Sequence, residues 1–199
     1  MLEVRKLSSI MPYGANTYLI SSCGESAVID PAAPPPKDAF FGKLKYVLLT
    51  HSHFDHILTI DSWVALGAMV CIANEELSYL PSGDLNCYSL FLGCDKGYHG
   101  KAIGLSDGDT IRLGDEDIIF LNTPGHTPGS GVYLCKDKAF VGDTVFAGGG
   151  YGRYDLPGGD ADSLGRSISR IIAMDSDIVL YPGHGGITTV SEYKKDFNR

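Results

Sequence analysis

The stretch Thr50-His51-Ser52-His53-Phe54-Asp55-His56 places three imidazoles and a carboxylate within six positions. Neutral imidazole is the commonest metal ligand in proteins, and a nearby carboxylate adds a hard, negatively charged oxygen donor. The apolar run at residues 46–49 predicts a buried strand, from which the first two histidines leave toward the same side. One ion cannot readily use all four groups and further partners while keeping an open position. The motif therefore favours two adjacent metal ions.

Composition limits the classes to which the chain can belong. With 199 residues, 44% of them hydrophobic and 20% charged, we expect one domain, residues 1–199, with a substantial core. The net charge of −8 argues against nucleic acid or an anionic membrane surface as a partner. The sequence has no 18-residue apolar run and no N-terminal signal-peptide layout. Five cysteines without Cys-x-x-Cys spacing favour free thiols, and we expect a cytoplasmic protein.

Strand-like and helix-like segments alternate along the chain. Helical patterns cover residues 57–66, 75–80 and 160–174, and strands are predicted at residues 2–10, 17–21, 26–29, 46–49, 69–72, 110–113, 117–122, 131–135, 138–141 and 178–181. Residues 81–101 are rich in turn-forming residues and are predicted to be a long surface loop or lid, in which Cys87 and Cys94 are inert surface thiols. Strands followed by a helix, twice over, predict an α/β fold of two sheets with helices outside.

Three further segments place a metal-type ligand directly after a predicted strand. These ligands are His126, Asp143 and His184, and glycines flank them where the backbone must turn or approach closely. Histidines and carboxylates are costly to bury without partners, so a cluster of them indicates a metal site more than structural polarity. His99, the sixth histidine, is interpreted as a surface residue.

Together these segments resemble the metal signature of the metallo-β-lactamase superfamily. Residues 142–146, 152–160 and 182–185 are similar to the small prokaryotic branch of the glyoxalase II (hydroxyacylglutathione hydrolase) family. The resemblance implies an αββα sandwich, in which two mixed β-sheets pack face to face with helices outside and a dinuclear site lies between the sheet edges.

The resemblance also implies a role for each ligand. It implies two divalent ions, the first held by His51, His53 and His126, the second by Asp55, His56 and His184, and both bridged by Asp143. Zinc is the expected metal, with iron or manganese as alternatives. Hydroxide bridging the ions would attack the acyl carbon of a small-molecule thioester, and Asp55 would accept the proton of the water.

Four residues near the ligands have two interpretations each. Asp30 either orients a ligand histidine or caps a turn. Arg153 and Asp155 either form an internal ion pair that braces the glycine-rich loop Gly148–Gly152 or contact substrate. Tyr181 is a candidate for substrate contact or for packing.

Two other activities stay open. Persulfide dioxygenases also resemble this chain, and would use His126, Asp143 and one motif histidine around a single iron. A lactonase or phosphodiesterase would differ only in the group that the site admits. A noncatalytic module is the third interpretation, although nothing in the sequence suggests it.

The thiol carrier is also open. Larger glyoxalase II enzymes carry a C-terminal helical domain whose basic residues bind the glutathione carboxylates. This chain ends at Arg199, and Lys194 and Lys195 are interpreted as part of a solvated tail. We therefore expect thioester hydrolysis without strong recognition of glutathione.

Overall fold

Two mixed β-sheets of six strands each form the centre of the computed structural model, which describes residues 1–37 and 42–199. The strands of the first sheet are β1 (Glu3–Leu7), β2 (Thr17–Ser22), β3 (Glu25–Ile29), β4 (Lys43–Leu48), β5 (Met69–Ala73) and β6 (Ala102–Leu105). They lie in chain order, with β1 to β3 antiparallel and β3 to β6 parallel.

The second sheet has the order β14-β13-β10-β9-β8-β7 and is antiparallel except where β10 pairs with β13. A short ribbon, β11 (Val145–Phe146) and β12 (Gly150–Tyr151), lies beside it. The strands of the second sheet are β7 (Thr110–Leu113), β8 (Glu116–Asn122), β9 (Gly131–Cys135), β10 (Lys138–Gly142), β13 (Val179–Pro182) and β14 (Thr188–Thr189).

The inner faces of the two sheets bury one apolar core against each other. Ile20, Ile29 and Leu48 from the first sheet pack in the same cluster as Phe120 and Tyr133 from the second. Successive side chains of a strand point to opposite faces, so the remaining apolar residues of these strands face outward and need a cover. Helices supply that cover on both sides.

In the described part of the chain, four α-helices lie outside the sheets or beside them, at α1 (Ile60–Val64), α2 (Tyr88–Leu92), α3 (Ala161–Ile172) and α4 (Val190–Phe197). Trp63 of α1 is fully buried against the outer face of the first sheet. Leu164 of α3 and Tyr193 of α4 are buried against the outer face of the second. The predicted α/β class and αββα sandwich are confirmed.

Several local predictions were wrong. Residues 57–66 are not one helix, because Thr59 uses its hydroxyl to bond the carbonyl oxygens of Pro31 and Ala33, and α1 begins only after it. Lys194 and Lys195 are exposed, as expected for a solvated segment, but that segment is helical, because it contains α4, which begins with a capping box between Thr189 and Glu192. Residues 75–80 contain only a single 3-10 turn, Asn74–Glu76.

The carboxyl ends of the central strands meet at one edge of the sandwich. The amide of Gly131 donates to the carbonyl of Thr50, and that of Gly183 to the carbonyl of Gly142, so the loops after several strands are tied together. Gly142 has a φ of +49°, and a Cβ there would meet the side chain of Thr50. Among the helices of residues 1–37 and 42–199, none is long and apolar enough to cross a membrane.

Candidate metal centre

Seven predicted ligands converge at this edge from four separate loops. His51 and His56 are fully buried, and His53 and His126 are nearly so. Asp55 and His184 are partly exposed, with side-chain exposures of 16% and 31%. The structure therefore brings together all seven residues of the predicted set, which are His51, His53, Asp55, His56, His126, Asp143 and His184.

The ligand atoms form three groups of the kind that could hold one ion, of which one, His51 with His56 and Asp143, overlaps both of the others. The other two share no residue. His51, His53 and His126 form the first, and Asp55, His56 and His184 form the second, with ligand atoms within 4.8 Å of one another in each. The carboxylate of Asp143 lies between them. Its Oδ2 is 3.6 Å from His126 Nε2 and 3.4 Å from His184 Nε2, so one oxygen faces a residue of each group.

These spacings fit coordination of a divalent ion. Ligands about 2.0–2.1 Å from a tetrahedral zinc ion are about 3.3 Å from one another. His51 Nε2 lies 3.1 Å from His53 Nδ1, and His56 Nε2 lies 3.3 Å from Asp143 Oδ1. His56 Nε2, His126 Nε2 and Asp143 Oδ1 are also buried without a hydrogen-bond partner in the described chain. Unsatisfied buried atoms are costly, and coordination would satisfy them.

The two groups differ in charge. Burial lowers the pKa of His51 well below its usual value and that of His53 to about 3, so both imidazoles are neutral and keep a free lone pair. Burial also opposes charge on His184, but hydrogen bonds with Asp143 and Asp55 raise its pKa to about 9. In the absence of an ion, the second group therefore holds positive charge as protons.

The carboxylates remain ionised in this setting. Burial favours the neutral acid, yet His56 and His184 hold the pKa of Asp143 well below its usual range, and they lower that of Asp55. Two carboxylates among five histidines would offset part of the positive charge of two adjacent dications.

Asp30 acts on a ligand and is not merely a turn residue. Its Oδ2 lies 2.9 Å from His56 Nδ1, and both carboxylate oxygens also accept hydrogen bonds from Thr50. A carboxylate at Nδ1 fixes the ring so that Nε2 points toward Asp143. Asp30 has a φ of +50°, which is uncommon for a non-glycine residue and places its side chain under the ligand loop.

Arg153 contributes through its backbone. Its carbonyl oxygen is 2.6 Å from His126 Nδ1, and because a carbonyl only accepts, this ring nitrogen carries the proton and leaves Nε2 free to bind an ion. Its guanidinium donates two hydrogen bonds of 2.7 Å to Asp155. The predicted ion pair exists, but it is exposed and not internal.

Tyr181 does not line the cavity, and of its two interpretations packing is the one that agrees with its contacts. Its ring stacks on Phe140 at 4.8 Å and meets Tyr18 edge-on at 5.4 Å, within the core between the sheets. The reason is strand alternation on β13, where Tyr181 faces the inter-sheet core while Leu180 faces the outer helices.

Glu76 is a functional candidate that the sequence did not indicate. It is fully buried, and its Oε2 accepts hydrogen bonds from the amide and the hydroxyl of Ser52 while its Oε1 accepts from the amide of Gly129 at 3.0 Å. One carboxylate thus holds together the loop of His51 and the loop of His126. In the sequence, the position of Ser52 between two candidate ligand histidines is the one feature that points to an interaction of this kind.

A cavity of about 320 Å³ opens onto the ligands. Cys87 lines it and is fully buried, so the prediction that Cys87 is a surface thiol was wrong, whereas Cys94 is exposed and all five cysteines are free. Cys87 adopts a φ of +68° directly before α2, which turns its side chain inward. His99 is exposed and lies outside the centre, as predicted.

Similar proteins carry several different names. The chain is 33% identical over 90% of its length, and 89% of the relative's, to the probable metallo-hydrolase YqgX of Bacillus subtilis. It is 36% identical to the probable polyketide biosynthesis zinc-dependent hydrolase PksB of the same organism, over 71% of this chain and 57% of that protein. It is 29% identical to the hydroxyacylglutathione hydrolase GloC of Haemophilus influenzae, over 85% and 84% of the two chains.

Solved structures agree on the architecture. The B3 metallo-beta-lactamase BLEG-1 superposes with a TM-score of 0.84 at 27% identity, covering 98% of this chain and 97% of the other. TTHA1623 in a di-iron-bound form gives a TM-score of 0.81 at 29% identity, covering 95% and 96%. The family model of the metallo-beta-lactamase superfamily matches residues 10–184. With the fold and the metal-binding geometry in agreement, the chain belongs to the metallo-beta-lactamase superfamily and is a metal-dependent hydrolase of that superfamily.

Proposed function

We propose that the chain hydrolyses small-molecule thioesters, in the manner of glyoxalase II, with a centre of two divalent ions. The observation that carries the proposal is the pair of three-ligand groups on either side of Asp143, at the floor of an open cavity. The similarity to GloC, which is named a hydroxyacylglutathione hydrolase, supports the thioester as substrate.

The residues divide between the two ions. The first would be held by His51, His53 and His126, the second by Asp55, His56 and His184, with Asp143 shared between them. When bound, divalent ions supply Lewis acidity and lower the pKa of water, to about 7 in zinc enzymes. The name of PksB supports zinc, whereas the di-iron-bound form of TTHA1623 supports iron, and zinc remains our proposal.

Asp55 is positioned for proton transfer. Its carboxylate lines the cavity, is held by His184 Nε2 at 3.1 Å and is ionised. It would accept the proton of the attacking water at the floor of the cavity. In the overall reaction a C–O bond forms at the acyl carbon, the C–S bond breaks, and the sulfur leaves as a thiol with one proton of the water.

Elemental analysis and a thioester assay test the proposal together. Protein purified without added metal should contain two divalent ions per chain and should hydrolyse a thioester such as S-lactoylglutathione or an acyl N-acetylcysteamine. Asp55→Asn should lower kcat by about 10²- to 10⁴-fold, the usual contribution of a general base. Glu75→Gln, which replaces an exposed carboxylate that is not part of the cavity lining, is the matched control.

Other outcomes would identify a different enzyme. One iron per chain with oxygen uptake on a persulfide would replace the hydrolase proposal with the persulfide dioxygenase. Turnover of lactones, with no turnover of any thioester, would replace it with a lactonase.

A further inference from the structure

The side chains around the cavity are apolar once the metal ligands and Arg153 are set aside. Besides five ligands, Gly152 and Arg153, the described residues that line it are Phe54, Cys87, Phe91, Phe146 and Leu156. The cavity of about 320 Å³ is large enough for a group well beyond two or three carbons. A small polar acyl group would leave this wall without contacts.

The apolar wall is held in place and is not a loose lid. Phe54 stacks on Phe91 with ring centroids 5.3 Å apart and planes at 27°. Asn86, fully buried, donates to the carbonyl oxygens of Leu80 and Lys96 and accepts from the amide of Tyr88. The carbonyl of Asn86 also accepts from the amide of Phe54, so α2 is fixed to the ligand loop.

Positive charge for an anionic substrate is scarce here. Apart from the metal ligands, Arg153 is the one basic side chain among the lining residues that the structure describes, and both of its donors to Asp155 are at 2.7 Å. A guanidinium in a two-bond fork with a carboxylate must break that fork before it can bind a substrate carboxylate. The surrounding chain carries a net charge of −8, which adds no attraction for an anion.

We infer that the substrate is a thioester with an apolar acyl group of four or more carbons, aliphatic or aromatic, on a carrier without carboxylates at the sulfur end. This inference rests on the proposed thioester hydrolysis and goes beyond it. The acyl group lies against the Phe54–Phe91 pair, where a flat or flexible apolar chain replaces water. Arg153 stays paired with Asp155 throughout.

A series of acyl groups on one neutral thiol tests the inference. Acetyl, butanoyl, hexanoyl and phenylacetyl thioesters of N-acetylcysteamine differ only in apolar size. We expect kcat/KM to rise about two- to fourfold for each added CH₂ group up to hexanoyl, the larger value corresponding to complete burial. Hexanoyl glutathione should be no better a substrate than hexanoyl N-acetylcysteamine, because Arg153, the basic side chain of the described cavity lining, is already paired with Asp155.

Variants locate the selectivity on the wall. Phe91→Ala should reduce the hexanoyl-to-acetyl ratio of kcat/KM about tenfold. Leu90→Ala, which truncates a 64% exposed neighbour on the same helix outside the cavity lining, should keep the ratio of the parent protein. Asp155→Asn should release Arg153 and raise the activity on hexanoyl glutathione relative to the N-acetylcysteamine thioester.

The inference and the proposed function fail in different ways. Turnover of thioesters with a flat or falling acyl series, or with a clear preference for glutathione carriers, overturns the inference and leaves thioester hydrolysis standing. Equal ratios in Phe91→Ala and Leu90→Ala also overturn it. The absence of turnover on every thioester by protein with two bound ions overturns the proposed function itself.

Discussion

Glu76 offers the sharpest test of how the ligand loops are held. Its buried carboxylate accepts three hydrogen bonds, two from Ser52 and one from Gly129, and these residues belong to the loops of the first ligand group. Glu76→Gln keeps the shape but replaces one acceptor oxygen with an NH₂ group. In either orientation of the glutamine amide, its NH₂ group then faces a buried backbone N–H, that of Ser52 or that of Gly129.

The magnitude follows from those three bonds. If the amide oxygen stays with Ser52, the bond from Gly129 is lost and its N–H is left buried without an acceptor. A hydrogen bond to a charged group contributes roughly 1.5–3 kcal/mol, and an unsatisfied buried donor costs roughly 1–3 kcal/mol. Burying a neutral amide instead of a carboxylate offsets part of this sum. We expect the free energy of unfolding to fall by about 2–4 kcal/mol.

The assay uses metal-free protein so that bound ions do not add to stability. Urea unfolding is compared for the parent protein, Glu76→Gln and Glu75→Gln, which removes the same charge from the exposed preceding residue. Glu75→Gln should stay within about 0.5 kcal/mol of the parent. Competition with a chelator should show metal affinity reduced about 10- to 100-fold in Glu76→Gln, as for other residues that orient ligands. Equal unfolding free energies for the two variants would refute the role of Glu76.

Three further predictions concern the centre and its cavity. Asp143→Ala should bind at most one ion per chain in elemental analysis, because the carboxylate between the two ligand groups is gone; two retained ions would contradict the shared position. Gly183→Ala should lower the metal content, since a Cβ there would meet the Asp143 carboxylate and the His56 ring, whereas Gly186→Ala, with open space around it, should not; equal metal content in the two would show that the loop adapts. Burial, with Asp55 nearby, raises the pKa of Cys87 to about 11, so its thiolate fraction should rise about tenfold per pH unit from 8 to 10. Peptide mass spectrometry should therefore show Cys87 alkylated more slowly than exposed Cys94 at pH 8, with a rate that increases over that range, and equal rates at pH 8 would argue against this burial.

Much of the fold was predictable because the candidate metal ligands directly follow the predicted strands in the sequence. Each separated ligand follows an apolar run of strand length, and turn residues mark where the backbone leaves the sheet. What failed was local. α2 lies in a segment of turn-forming composition and is held by Asn86 through contacts with residues 80, 88 and 96, which no periodic pattern records.

The sequence by itself determined the kind of chemistry. Histidines at alternate positions with Asp55 and His56, followed by His126, Asp143 and His184, have few physical uses other than holding ions, because such groups are not buried without partners. The family resemblance implied which residues belong together, and in the structure both implied sets of three ligands lie within binding distance of one another.

Only the tertiary structure decided how those ligands are held and what surrounds them. Glu75 and Glu76 are adjacent residues of the same type, and nothing in the sequence distinguishes them. Glu75 is exposed, whereas Glu76 binds Ser52 and Gly129, which lie 24 and 53 residues away in the chain. The packing of the two sheets likewise decides that the side chain of Tyr181 faces the inter-sheet core. The left-handed backbone conformation of Cys87 decides that its thiol is buried. These contacts join residues that are distant in the sequence, so they contribute to stability only after folding has brought those segments together.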